Sequence, residues 1–263
     1  MIKRILAGSI LALGLVGCGG GGSSSGTSYV YGVNAISNLG ALSITANGTT
    51  LLNSAAYQGV TSGFIGVNAG TDALLYLTNS SNTQLASGST TFLNGDYYTA
   101  FAIGNAINQY LFVYPTDVTA PASGTGKLIF VDASTAQPSV DIYVTLSGGV
   151  QGAAKIASLT PFTAGTGAEV SGLAAGTYDV QFKIAGTSTV LVDEPAVTVA
   201  SATTNDIQVV GISDTVTTTG SVTSTTQAAL PLISVPVSAT ATKVNLKNHP
   251  LVVGHPGMTS FTK

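Results

Sequence analysis

In 263 residues the chain is 44% apolar and only 7% charged, with 32 glycines and a formal net charge of −3. Strong helix formers with charged partners are few, and no segment holds a 3.6-residue period for long, which excludes a largely helical architecture. No basic patch precedes residue 243 and neither a P-loop nor a dinucleotide fingerprint occurs, so nucleic acid and nucleotide cofactors are not expected as ligands.

At the N-terminus Lys3 and Arg4 precede an apolar run from Ile5 to Val16, the charged and hydrophobic regions of a secretory signal. The run is shorter than the ~20 residues a spanning helix needs. It ends in Leu15-Val16-Gly17-Cys18, which resembles the lipobox of bacterial lipoproteins, where small residues admit the signal peptidase and the cysteine thiol receives a diacylglycerol. Cys18 is the only cysteine in the chain. The resemblance implies a signal peptide over residues 1–17, lipid attachment at Cys18 and membrane anchoring by covalent acyl chains such as palmitate. At ~0.8 kcal/mol per buried methylene, two or three chains hold stably where one would not. The alternative is an ordinary signal peptide with a chance cysteine. Gly19 stands where an aspartate would signal inner-membrane retention, so the expected place is the outer membrane of a two-membrane cell envelope.

Residues 18–28 form the expected tether: from Gly19 to Ser28 only glycine, serine and threonine occur. Such a coil has an r.m.s. span of ~17 Å. Within it, Gly22-Ser23-Ser24-Ser25-Gly26 matches the G-x-S-x-G pattern, but that nucleophile elbow works only on a strained strand-to-helix turn.

Beyond the tether short runs alternate. Val140, Ile142, Val144 and Leu146 share one face of a predicted strand, and Tyr178-Asp179-Val180-Gln181-Phe182-Lys183-Ile184 repeats the device. Asn47-Gly48, Asn94-Gly95-Asp96, Gly104-Asn105 and Gly148-Gly149 suit tight turns between such strands. An internal repeat is visible as well. Val33-Asn34-Ala35 and Leu42-Ser43-Ile44 align with Val131-Asp132-Ala133 and Val140-Asp141-Ile142, and Val67-Asn68-Ala69-Gly70-Thr71 aligns with Leu173-Ala174-Ala175-Gly176-Thr177. The second copy is longer, and the extra residues fit between Thr145 and Pro161 as an extended loop. The expected fold is therefore all-β, with two tandem immunoglobulin-like antiparallel β-sandwich domains, residues 29–122 and 124–215, following the lipoprotein signal peptide and flexible tether. One large barrel with accidental similarity is the alternative.

Val131-Asp132-Ala133-Ser134, Pro138, Val140-Asp141-Ile142-Tyr143-Val144 and Ala174-Ala175-Gly176-Thr177-Tyr178 resemble the repeat of the family known as domain of unknown function 4397. In the first copy the resemblance lies in Tyr57, Ala69-Gly70-Thr71 and Tyr97-Tyr98-Thr99, with Asp117 and Pro121-Ala122-Ser123-Gly124 leading into the second. Gly40 and Ser43 stand where the second copy has Pro138 and Asp141. The resemblance implies a secreted β-domain of bacterial surface lipoproteins and carries no catalytic residue.

Residues 216–263 are expected to be a Ser/Thr-rich stretch and a partly disordered tail, with one last strand within Gln227 to Thr242. The tail holds both histidines, His249 and His255, near Met258, but without a carboxylate or cysteine nearby this is not a metal-binding pattern. No histidine precedes position 249, so a Ser-His-Asp or Cys-His pair would have to recruit the tail. Asp193-Glu194 is the only adjacent pair of acids, and on a strand the two point to opposite faces. Asp132, Asp141, Asp179 and Asp206 do not follow a calcium-loop pattern. No catalytic, cofactor or metal residue is assigned, and Cys18 is the one site residue.

The expected function is that of a membrane-anchored, non-catalytic structural or adhesive module, with no nucleic acid among its partners. The alternative is a carboxylate-dependent enzyme acting on an envelope polysaccharide. Cleavage would leave six lysines against eleven acids, a side-chain net of −5, and no arginine to grip phosphate or carboxylate in bidentate fashion. Tyr29, Tyr31, Tyr57, Tyr97, Tyr98, Tyr110, Tyr114 and Tyr143, beside hydroxyl and amide groups, point to a neutral glycan or an envelope protein as partner.

Overall fold

A computed structural model describes residues 26–36, 39–106, 108–119, 121–132, 139–160 and 169–199, together with the backbone of four strands between 205 and 253. The first eight strands are β1 (Thr27–Asn34), β2 (Leu42–Ala46), β3 (Thr49–Ala55), β4 (Ile65–Asn68), β5 (Gly70–Asn79), β6 (Gln84–Phe92), β7 (Tyr97–Gly104) and β8 (Gln109–Pro115). The next six are β9 (Thr125–Asp132), β10 (Val140–Leu146), β11 (Ile156–Leu159), β12 (Glu169–Ala174), β13 (Gly176–Ile184) and β14 (Val190–Val199). Four more follow: β15 (Asn205–Thr219), β16 (Val222–Ala229), β17 (Ile233–Val237) and β18 (Leu251–Val253). Among the described residues there is no helix, and so none long and apolar enough to cross a membrane.

The protein is all-β and built from stacked sheets in the manner of β-sandwiches, compatible with the immunoglobulin-like class. β4-β1-β7-β8 form one sheet, extended by β18, and β3-β2-β5-β6 form the sheet that faces it. The second half has the same strand order: β12-β9-β15-β16, with β17 also on β15, faces β11-β10-β13-β14. Most neighbours are antiparallel. One pair in each half is parallel: β1 with β7, from Tyr29 opposite Tyr97 to Asn34 opposite Ala102, and β9 with β15, from Lys127 opposite Ile207 to Asp132 opposite Ile212.

Local chemistry accounts for the turns. Asn47 and Gly48 both take positive φ, 46° and 80°, the backbone that joins two strands in a two-residue hairpin without splaying them. At Gly104, φ is 103° and a Cβ would run into the Asn108 carbonyl oxygen, so no other residue fits. Asn34 is fully buried because its side chain works as a backbone surrogate, donating to the Ala55 carbonyl at 2.9 Å and accepting from the Ile36 amide at 3.0 Å.

Three cores hold the layers together. Val30, Ile44, Leu52, Leu75, Leu77 and Leu111 fill the space between the first two sheets, and Phe130, Ile142, Val180 and Phe182 that between the last two. The third lies between the halves, where Tyr31, Val33, Phe101, Ile103, Phe112 and Tyr114 meet Ile129 and Val131 of β9. The sheet of β1, β7 and β8 is therefore covered on both faces. Its strands are continuously apolar, as Tyr110-Leu111-Phe112-Val113-Tyr114 shows, and β9 reads likewise as Leu128-Ile129-Phe130-Val131. Strands of the outer sheets alternate instead: Tyr178, Val180 and Phe182 are buried, while Asp179, Gln181 and Lys183 are only half-buried.

Two details depart from the alternation read in the sequence. Leu146 was expected on the core face with Val144, but it is 55% exposed, because β10 ends there and the chain turns away into a loop. Asp141, expected to face outward, is buried, because its carboxylate accepts from the Ser158 amide at 2.8 Å and the Gly186 amide at 2.9 Å. In the segment expected to be stalk and tail, β15 runs on to Thr219 and β16, β17 and β18 are strands; the rest of that segment lies outside the described residues.

Candidate functional site

Charge is concentrated where the halves meet. Lys127 sits on β9 with only 2% of its side chain exposed, and its ammonium donates to the Asp117 carbonyl oxygen at 2.9 Å. Asp117 Oδ2 is 3.1 Å away and Glu169 Oε1, on β12, is 3.6 Å away. Burial alone would raise the Asp117 carboxyl, but hydrogen bonds from Thr119 and the neighbouring ammonium outweigh it and hold the group below its ordinary value. Burial pushes Glu169 up; Lys127 offsets part of that push and the Asp117 charge adds to it. This trio fastens the connection between β8 and β9, in which Thr116 and Val118 are also buried. Its chemistry is that of a clamp, since the lysine is spent on three oxygens.

Sequence reasoning did not find this trio. The signal was present: Lys127 is a lone charge at the head of the apolar run Leu128-Ile129-Phe130-Val131, a position where a lysine needs partners.

The other acids are dispersed. Asp179 accepts from the Ser147 hydroxyl at 2.8 Å, Asp132 is fully buried within β9, and Asp72 is exposed on β5. Asp193 and Glu194 stand opposite Gln181 and Val180 respectively, and so on opposite faces of β14. The side chain of Asp206 is outside the described residues, as are Cys18, His249 and His255. Among the described residues no three His, Cys, Asp or Glu side chains are placed to hold a metal.

Tyrosines divide between core and surface. Tyr31, Tyr98 and Tyr114 are buried; burial pushes the Tyr31 phenol up to about 12 and raises that of Tyr114, whose rise the Thr99 and Thr116 hydroxyls restrain. Tyr29, Tyr57, Tyr97, Tyr110 and Tyr143 are half-buried. Tyr29 stacks on Tyr97 at 4.9 Å, and Phe64 meets Tyr97 edge-on at the same separation, so these rings serve mainly to close the rim of the core between the halves.

Among the described residues, the loop between β10 and β11 is a surface feature with scope for contact. The first half has the Asn47-Gly48 turn at this point, whereas the second has the nine residues 147–155. The loop is held down at several points. Gly149 N–H donates to the Leu146 carbonyl at 2.7 Å, Ser147 N–H to Thr177 at 2.9 Å and Lys155 N–H to Ile142 at 2.7 Å. Gln151 donates to Gln181 at 2.7 Å and accepts from Lys183 at 2.6 Å, and the Lys183 ammonium lies 4.4 Å from the centre of the Tyr143 ring. Between loop and strand is a shallow cavity of about 350 Å³ lined by Val144, Leu146, Gly149, Val150, Gly152 and Lys155, among others. Val150, at 96% exposure, stands free at the tip.

No curated protein matches the chain. Residues 28–143, somewhat less than half of the chain, match the model of the family described as domain of unknown function (DUF4397), a match that runs from β1 into β10 and supports the family that the sequence resembles.

Proposed function

We propose that the protein is a lipid-anchored module of the bacterial cell envelope, held through Cys18 on the outer membrane, whose work is non-catalytic binding or adhesion. Its body is two tandem copies of one β-sandwich, a reading supported by the identical strand order of the two halves and by the matching parallel pairs. The loop 147–155 with its cavity is the contact region, and the partner is a neutral glycan or an envelope protein.

The observation that carries this reading is what the acids do. Asp117, Asp141, Glu169 and Asp179 are tied to backbone amides, a hydroxyl or Lys127, and none of the four lines the cavity at the loop. A carboxylate-dependent glycosidase needs two acids facing a shared space some 5–10 Å across. Among the described residues the exposed acids, Asp72 on β5 and Asp193 on β14, lie in different sheets, and most of the remaining exposed surface is hydroxyl, amide and a few apolar side chains.

Two measurements test it. Cys18→Ala should move the protein from the membrane to the soluble fraction; a cleaved, unlipidated product that stays with the membrane refutes the anchor. Residues 26–263 applied to arrays of glycans and envelope fractions should show binding that changes little from low to physiological salt, since exposed ion pairs would be screened over that range. A tenfold loss over the same range refutes the neutral-contact reading.

A further inference from the structure

In the sheet of the first half, β8 is an edge closed by a segment that lies far away in sequence. β18 lies along it antiparallel, with Leu251 opposite Val113, Val252 opposite Phe112 and Val253 opposite Leu111. The strand it covers needs covering: Leu111, Phe112, Val113 and Tyr114 are all buried, and an apolar edge of this kind is a template for another strand. In the second half the corresponding flank of β15 is shared by two strands, β17 along Asn205–Val209 and β16 along Ile212–Thr219.

The covering strand has the character of a plug. β18 has three residues against the seven of β8. In sequence it is bracketed as His249-Pro250-Leu251-Val252-Val253-Gly254-His255-Pro256, and a proline has no N–H to give to a ladder, so pairing cannot readily lengthen in either direction. Thirteen residues separate it from β17, and a chain of that length reaches at most ~45 Å. Short pairing, a long lead and an apolar receptor are what strand exchange requires, because a ladder of three residues has few bonds to break and the vacated edge favours the first matching strand that arrives.

We propose that β18 is an exchangeable strand, and that the edge of β8 is an interaction surface for the Leu251–Val253 segment of a second copy of this chain. Neighbouring copies then link by giving this segment to one another. The proposal stands on the β8–β18 pairing and does not require the binding role or the lipid anchor.

The test uses the full chain with Cys18→Ser, so that introduced thiols are the only ones. One protein carries Val113→Cys and the other Leu251→Cys, positions that face each other across the two strands. Mixed and mildly oxidised, they should give a disulfide-linked dimer at least fivefold above either protein alone, rising with concentration. Adding Val252→Pro to the Leu251→Cys protein should abolish it. The double variant Val113→Cys/Leu251→Cys should close within one chain at high dilution, which shows that the substituted protein folds with this register. Closure within one chain at every concentration, without a mixed dimer, overturns exchange. Failure of the double variant to close at all, or a mixed dimer indifferent to Val252→Pro, overturns the pairing on which exchange depends. Sedimentation of the chain with Cys18→Ser as its only change is the second measurement: self-association lost when the chain stops at Asn248 supports the proposal, and a monomer at all concentrations refutes it.

Discussion

Replacing Lys127 by Met tests whether the two halves are fastened by charge as well as by apolar contact. Methionine keeps most of the buried stem and removes only the ammonium, so the loss is electrostatic. Asp117 and Glu169 would then face each other with side-chain exposures of 22% and 16% and no cation between them. Breaking a fully buried pair by removing one partner costs about 3–5 kcal/mol, and because water still reaches both carboxylates the lower end, about 3 kcal/mol, applies here. For a protein of this size each kcal/mol moves the melting temperature by about 2–4 °C, so the expected fall is about 6–12 °C by calorimetry. Adding Asp117→Asn and Glu169→Gln to Lys127→Met should recover most of it, since no uncompensated charge is left. A fall of less than about 1 °C for Lys127→Met would refute the reasoning, because water would then be neutralising the carboxylates as well as the lysine does.

Ile129→Ala, in the core between the halves, should cost about 2–5 kcal/mol in a urea titration although its strand belongs to a sheet with its own core; a loss below about 0.5 kcal/mol would mean that the halves merely touch. Glu169 binds its proton more readily folded than unfolded, so its contribution to stability is full below its ordinary value of 4.5 and is lost as pH rises through the raised folded value. Glu169→Gln should therefore remove a decline of stability in that window, read as melting temperature against pH, and an unchanged profile contradicts the assignment. Val150→Ser, at the exposed loop tip, should leave stability within about 0.5 kcal/mol while weakening partner binding in the array; a large stability loss would show that the loop is a structural strut.

Alternation was the legible part of the fold. Where a strand has one dry face, as in Tyr178–Ile184, the period of two can be read directly, and the turns at Asn47-Gly48 and Gly148 follow from residues that accept positive φ. What escaped was the contact between the halves. Tyr110–Tyr114 and Leu128–Val131 do not alternate, because both of their faces are dry, yet a short apolar run is equally what a buried strand of a single sandwich would show. The partners of Lys127 could not be read either, since Asp117 and Glu169 come from a connection and a strand whose meeting depends on that contact. The cavity at residues 147–155 was legible only as extra length: the sequence marks where a loop is inserted, and the folding of the loop back toward Gln181 and Lys183 depends on register between strands.

The division between dry and wet faces also limits where a partner can be met. The sheet of β1, β7 and β8 has no free face, and β9 in the next sheet is buried along Gly126–Asp132; the described surface that remains includes the two outer sheets, β12, the edges and the loops. Of these, the outer face of the β2 sheet offers Ser43, Thr45, Tyr76 and Ser87, hydroxyl groups at modest exposure, of which Ser43 already accepts from the Ser54 amide and Ser87 from the Gln84 side chain. The loop 147–155 differs in kind. A nine-residue excursion costs more ordering than the two-residue turn at the same point of the first half, yet here it is held by bonds to Leu146, Ile142, Thr177, Gln181 and Lys183. It nevertheless leaves Val150 and Leu146 in water. Holding a loop in order before a partner arrives removes an entropic penalty from binding, and exposed apolar side chains on such a loop gain most when they are covered. That combination is why the loop, rather than the broader hydroxyl face, is the surface on which binding should be sought first.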